Sequence, residues 1–74
     1  MPIHVNLNVI LAKRKIKGKV LAMKVGITEQ NLSLLRSGKV KGVRFSTLEK
    51  ICEALECQPG DIFEYIPDGL DVVD

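Results

Sequence analysis

Between Thr28 and Ser37 the chain gathers side chains that hydrogen-bond well but have no covalent chemistry to offer. At ~100° per residue, Gln30, Ser33, Leu34 and Ser37 fall on one side of a helix, with Glu29 and Asn31 on its flanks. Thr28, Leu32 and Leu35 gather on the opposite side, where they would face a core. The outward set is short, mostly polar and uncharged, unlike the lysine–glutamate mixture of an ordinary solvated helix. Amides and hydroxyls in that pattern suit the edges of base pairs: glutamine pairs with adenine through N6 and N7, and serine suits several bases. The alternative is an indifferent surface helix.

Two members of this set need separate weighing. An exposed leucine alone needs no explanation, but in a major groove Leu34 would contact thymine methyl groups; the competing reading is a small protein-binding patch. Glu29 is stabilised at a helix N-terminus by the dipole whether or not a nucleic acid is present. Near phosphate it would repel, so a nucleic-acid role requires that it face a base, where a carboxylate accepts from cytosine N4. Both readings of Glu29 stay open.

Other chemistry finds little support. One histidine, His4, stands near a terminus, no serine or cysteine sits beside a plausible base, and no glycine loop cradles a phosphate, so an enzyme is not expected. Cys52 and Cys57 are five apart, not a CxxC spacing, and read as small core residues rather than metal ligands or a disulfide. No cofactor is implied. No run approaches the ~18 apolar residues a membrane helix needs, and Met1 to Asn6 lacks the features of a signal peptide. A cytoplasmic protein is therefore expected.

The net charge of +2 hides a strong division. Residues 1–44 carry ten basic side chains against Glu29 alone, leaving +9, whereas residues 45–74 carry eight acids against Lys50, leaving −7. Such asymmetry in one small domain suggests a basic face for a polyanion and an acidic face turned away from it. The bland reading is two solvated faces.

The elements that would position these groups can be traced from the apolar spacing. Ile3, Val5 and Leu7 alternate with polar residues as a brief strand-like lead-in. Leu7, Ile10 and Leu11 predict a first helix from about Leu7 to Lys15. Gly18 interrupts, and Val20, Leu21, Ala22 and Val25 predict a second helix stopping at Gly26, a residue free to turn left-handed. Thr28 is a good N-cap for a third helix running to about Arg36 and closed by Ser37-Gly38. A basic loop, Lys39 to Arg44, follows. Ser46-Thr47-Leu48-Glu49 matches a capping box, and Leu48, Ile51, Cys52 and Leu55 form the core stripe of a fourth helix ending at Cys57-Gln58. Pro59 and Asp61 suit the first turn of a fifth, with Ile62, Phe63 and Tyr65 as its apolar residues.

The stretch "LAMKVGITEQNLSLLRSGKV" resembles the Cro/lambda-repressor-type helix-turn-helix family, also called the XRE family. Leu21-Ala22, Gly26-Ile27 and Ser37-Gly38-Lys39 stand at the matching positions. "RFSTLEKICEALECQPGDIFEY" is similar to the helix-four and helix-five segment of its small, single-domain bacterial members. The resemblance implies an all-α, compact five-helix domain over residues 1–66, with a short acidic tail at 67–74. It implies sequence-specific binding of double-stranded DNA by a transcriptional regulator, repressor-like rather than activating, with helix three (about 28–37) in the major groove. Glu29, Gln30, Asn31, Ser33 and Leu34 then become base readers. Lys17, Lys19, Thr28, Ser37, Lys39, Lys41 and Arg44 become sugar-phosphate contacts. Arg36 is left between two roles, pointing to the backbone or stabilising the negative end of helix three. Members of the family commonly place glutamine second in helix two. Gly18 stands there in this chain, which removes a phosphate contact, frays the helix and leaves the adjacent lysines to substitute.

A homodimer on an operator is expected, its surface drawn from the Ile3–Leu7 lead-in and the tail from Ile66 to Val73. A helix-turn-helix that uses up the domain leaves no room for a small-molecule effector domain. The rival reading is a protein-interaction module, antitoxin-like or an adaptor, with Leu34 and the tail as its patch.

Overall fold

The computed structural model describes residues 3–67. Its elements are β1 (Ile3–Val5), α1 (Leu7–Arg14), α2 (Gly18–Val25), α3 (Glu29–Arg36), α4 (Phe45–Leu55), α5 (Pro59–Ile62) and β2 (Phe63–Tyr65). The fold is helical, with the two short strands as a minor addition.

Every helix sends at least one large apolar side chain to a common centre. Leu7, Leu21, Leu32, Ile51, Leu55 and Ile62 are the largest fully buried residues, and α2 packs against both α3 and α4. The i, i+3, i+4 periodicity decides which residues these are. Ile51 and Leu55 are buried on the α4 stripe, while Leu48 and Cys52 flank the core. Val20, expected among the apolar positions of α2, is instead exposed at 38%. The free thiols Cys52 and Cys57 both lie against the core. Burial, and after it the neighbouring Cys52, push the Cys57 thiol above its ordinary value. It is therefore a poor thiolate and a weak nucleophile at neutral pH.

Four helix ends are built alike. Lys15, Gly26, Gly38 and Glu56 all take positive φ. The next residue then sends its N–H back to the helix: Ile16 to Leu11 O, Ile27 to Ala22 O, Lys39 to Leu34 O and Cys57 to Cys52 O. Glycine adopts this conformation without a Cβ clash; Lys15 and Glu56 adopt it at a cost of about 1–2 kcal/mol each. Arg14 supports the Glu56 end, donating from Nε to Leu55 O at 2.8 Å and from Nη2 to Glu56 O at 3.1 Å. A cation at a helix C-terminus also meets the negative end of the dipole.

Several expected boundaries move. Gly18 is the first residue of α2 rather than a break before it or the second residue in it, with Lys17 as N-cap accepting from Val20 N and Leu21 N. The Ser46–Glu49 capping box does not form, because α4 starts earlier, at Phe45 behind an extended Arg44. This start places Val43 before the cap and Leu48 in the second turn, the two positions of a hydrophobic staple, and both pack against the core. Helix α4 ends at Leu55 rather than Cys57-Gln58. Helix α5 stops at Ile62, held at its start by Gln58 N–H donating to Asp61 Oδ2 at 2.9 Å. Phe63 and Tyr65 are therefore not helical. They alternate on β2, which pairs antiparallel with β1 in the register Ile3↔Tyr65, His4↔Glu64 and Val5↔Phe63.

Candidate nucleic-acid interface

The turn between α2 and α3 is short because each of its residues has one task. Gly26, at φ 86°, reverses the chain, Ile27 packs partly against the core, and Thr28 opens α3. Thr28 Oγ1 accepts from Asn31 N at 3.0 Å, satisfying one of the donors a helix start leaves open. Helical spacing puts Thr28 with Leu32 and Leu35, yet it is exposed. At the cap its backbone is extended (φ −75°, ψ 155°), so it no longer follows the helical face. Thr28→Ala should lower stability by about 1 kcal/mol, seen as a fall of roughly 4–8 °C in a thermal melt, whereas Thr28→Ser should keep most of it.

Beyond the cap the helix divides in two. Leu32 and Leu35 are buried at 1% and 4%. Glu29, Gln30, Asn31, Ser33 and Leu34 are all exposed. Ser37 closes the helix by donating from Oγ to Leu34 O at 2.9 Å. That bond occupies the hydroxyl hydrogen, and Ser37 N–H donates to Ser33 O, so in this arrangement Ser37 has no donor left for the phosphate contact expected of it.

The basic residues precede and follow α3 in the chain. Lys17 and Lys19 are exposed and flank Gly18 at the start of α2. A Cβ added to Gly18 would lie near Leu32 and Arg36, so this end of α2 abuts the later half of α3. Arg44 meets the earlier half, lining one depression with Ile27, Asn31 and Val43. Lys39 and Lys41 are exposed in the loop between, Lys41 at the rim of an apolar groove that includes Ile3, Val40 and Phe63. The expected readers are thus all exposed on α3, with Lys17 and Lys19 at the start of α2 and Lys39, Lys41 and Arg44 exposed between α3 and α4. Leu7, part of the expected dimer lead-in, is not available for that purpose: it is fully buried in the core. The part of the tail from residue 68 lies outside the described residues.

One contact could not be anticipated from local pattern. Arg36 Nε donates to Asn8 Oδ1 at 2.6 Å, joining the end of α3 to the start of α1 across 28 positions. Asn8 is a polar residue on an exposed helical turn, and nothing in its neighbours marks it.

Comparison with known proteins gives the same picture. Residues 6–68 match the model of the Cro/C1-type HTH DNA-binding domain. The chain is 59% identical over 68 residues to a Bacillus subtilis (strain 168) protein described as the uncharacterized HTH-type transcriptional regulator YozG, covering 92% of this chain and 81% of that one. It is also similar to the crystal structure of the transcriptional regulator VanUg, with a TM-score of 0.70 and 32% identity over 90% of this chain and 88% of that one. Among the described residues no helix is long and apolar enough to cross a membrane. With the family model spanning nearly all of the described fold, this chain belongs to the Cro/C1-type helix-turn-helix family of DNA-binding transcriptional regulators, which is not a class of enzymes.

Proposed function

We propose that this regulator is repressor-like, binding a double-stranded operator as a homodimer in the cytoplasm with α3 in the major groove and α2 across the backbone. The observation that carries the reading is the split of α3: two leucines hold it to the core while its whole polar face is exposed. Gln30 reads adenine, Ser33 and Asn31 supply adaptable donors and acceptors, and Leu34, 39% exposed, meets a thymine methyl. Glu29 accepts from cytosine, adding discrimination rather than affinity. Lys17, Lys19, Thr28, Lys39, Lys41 and Arg44 contact phosphate and sugar, setting register without reading sequence. A helix-turn-helix dimer reads half-sites ~34–36 Å apart. The exposed side chains of Ile3 and Tyr65, opposite one another in the sheet, favour the lead-in as part of the dimer surface. Occupying an operator excludes other proteins from that duplex, which is repression in its simplest form.

Selection of bound duplexes from a random pool, followed by gel shifts, tests this. One preferred site should emerge as an inverted repeat. Gln30→Ala and Leu34→Ala should each relax preference at one position per half-site, by ~1–3 kcal/mol, with the salt dependence unchanged. If no sequence is preferred at moderate salt while a tight protein partner is recovered, the interaction-module reading takes its place.

A further inference from the structure

We infer that Arg36 is a phosphate-binding residue, set in place by Asn8 and given its seat by the missing side chain of Gly18; this rests on the DNA-binding reading above. Three observations converge on it. Arg36 Nε is fixed by Asn8 Oδ1 at 2.6 Å, so the plane of the guanidinium is set by the start of α1. A Cβ on Gly18 would stand 2.5 Å from Arg36 Nη1, so the guanidinium occupies the space a side chain at that position would fill. The acceptor is a neutral amide oxygen rather than a carboxylate, so the bond orients the positive charge without neutralising it.

The contrast with Arg14 sharpens the point. Arg14 uses both Nε and Nη2 on the carbonyls ending α4, a structural task. Arg36 has its side-chain hydrogen bond at Nε, and its Nη1 lies against Gly18, the residue between Lys17 and Lys19 at the start of α2, so the guanidinium stands where a phosphate would meet that helix end. Gly18 is thus not a lost anchor. It is the vacancy that lets an arginine from α3 reach where α2 meets the DNA backbone. The same residue then ties the reading helix to the phosphate grip, so that register and contact are set together.

The test uses a mixed-sequence duplex, on which base readout has no part, and measures affinity against salt concentration for the full chain. Arg36→Gln should weaken binding about fivefold at ~0.15 M salt and lower the log–log salt slope by about 0.9, the loss of one phosphate contact. Gly18→Ala, which raises helix propensity, should leave the thermal midpoint at or above wild type yet still weaken binding, because it pushes the guanidinium off its seat. Asn8→Ala should weaken binding without reducing the slope. Should Arg36→Gln keep the full slope while lowering only the thermal midpoint, Arg36 is a strut and the inference falls. Wild-type protein that binds no duplex at all would overturn the DNA-binding reading itself, a different failure.

Discussion

Replacing Lys39, Lys41 and Arg44 together by glutamine should weaken binding to any duplex by roughly a hundredfold at ~0.15 M salt. Each phosphate contact releases about 0.9 of a counterion, so three lost contacts should flatten the log–log salt slope by about 2.7. The three side chains are exposed, and α4 starts through the backbone and Val43 rather than through their charges, so the thermal midpoint should hold. Ratios between preferred and altered sites should also hold, since the residues proposed to read bases are untouched. A filter-binding series from low to moderate salt on operator and mixed-sequence duplexes reads both quantities. An unchanged slope would remove this loop from the interface.

Leu21→Ala is expected to be the most damaging single change to the fold. Leu21 is fully buried where α2 meets α3 and α4. Truncating a buried leucine costs about 2–5 kcal/mol. A domain of this size has a total of only roughly 4–11 kcal/mol to lose, at ~0.05–0.15 kcal/mol per residue. The melting midpoint should therefore fall by at least about 10 °C, with DNA binding at low temperature retained in the folded fraction. Denaturant titration followed by circular dichroism measures the loss. A change under about 1 kcal/mol would mean that the site refills, which a core this small has few neighbours to do.

What could be read from the residues was whatever their own neighbours decide. Gly26, Thr28 and the spacing of Leu21, Leu32, Leu35, Ile51 and Leu55 each act within a turn or two, and the α2–α3 unit was legible for that reason. Glycine at a left-handed corner and threonine at a cap say the same thing in any context. Ser46 and Glu49 show the limit of such local signals. Their spacing fits a box, but the helix is started two residues earlier by Val43 and Leu48 anchoring on the core. Phe63 and Tyr65 read as helical because a short apolar run fits helix or strand equally, and the deciding partner, Ile3 to Val5, lies near the other end of the chain. The Arg36–Asn8 bond is hidden for the same reason: its two halves meet only after α1, α2 and α3 have packed. Arg14, with a lysine on either side, likewise carries no local sign of its task, which is to cap α4.

The division of α3 into a buried pair of leucines and an exposed polar face also bears on how such a protein diversifies. Leu32 and Leu35 hold the helix to the core, and the Thr28 cap, the Ser37 hydroxyl and the Arg36–Asn8 bond secure its two ends. Changes at Gln30, Ser33 or Leu34 therefore spare the core and the cations alike. If these residues read bases as proposed, a duplicated copy can acquire a new operator through a few substitutions on this face while its core stays unchanged. The address is rewritten while the grip stays inherited.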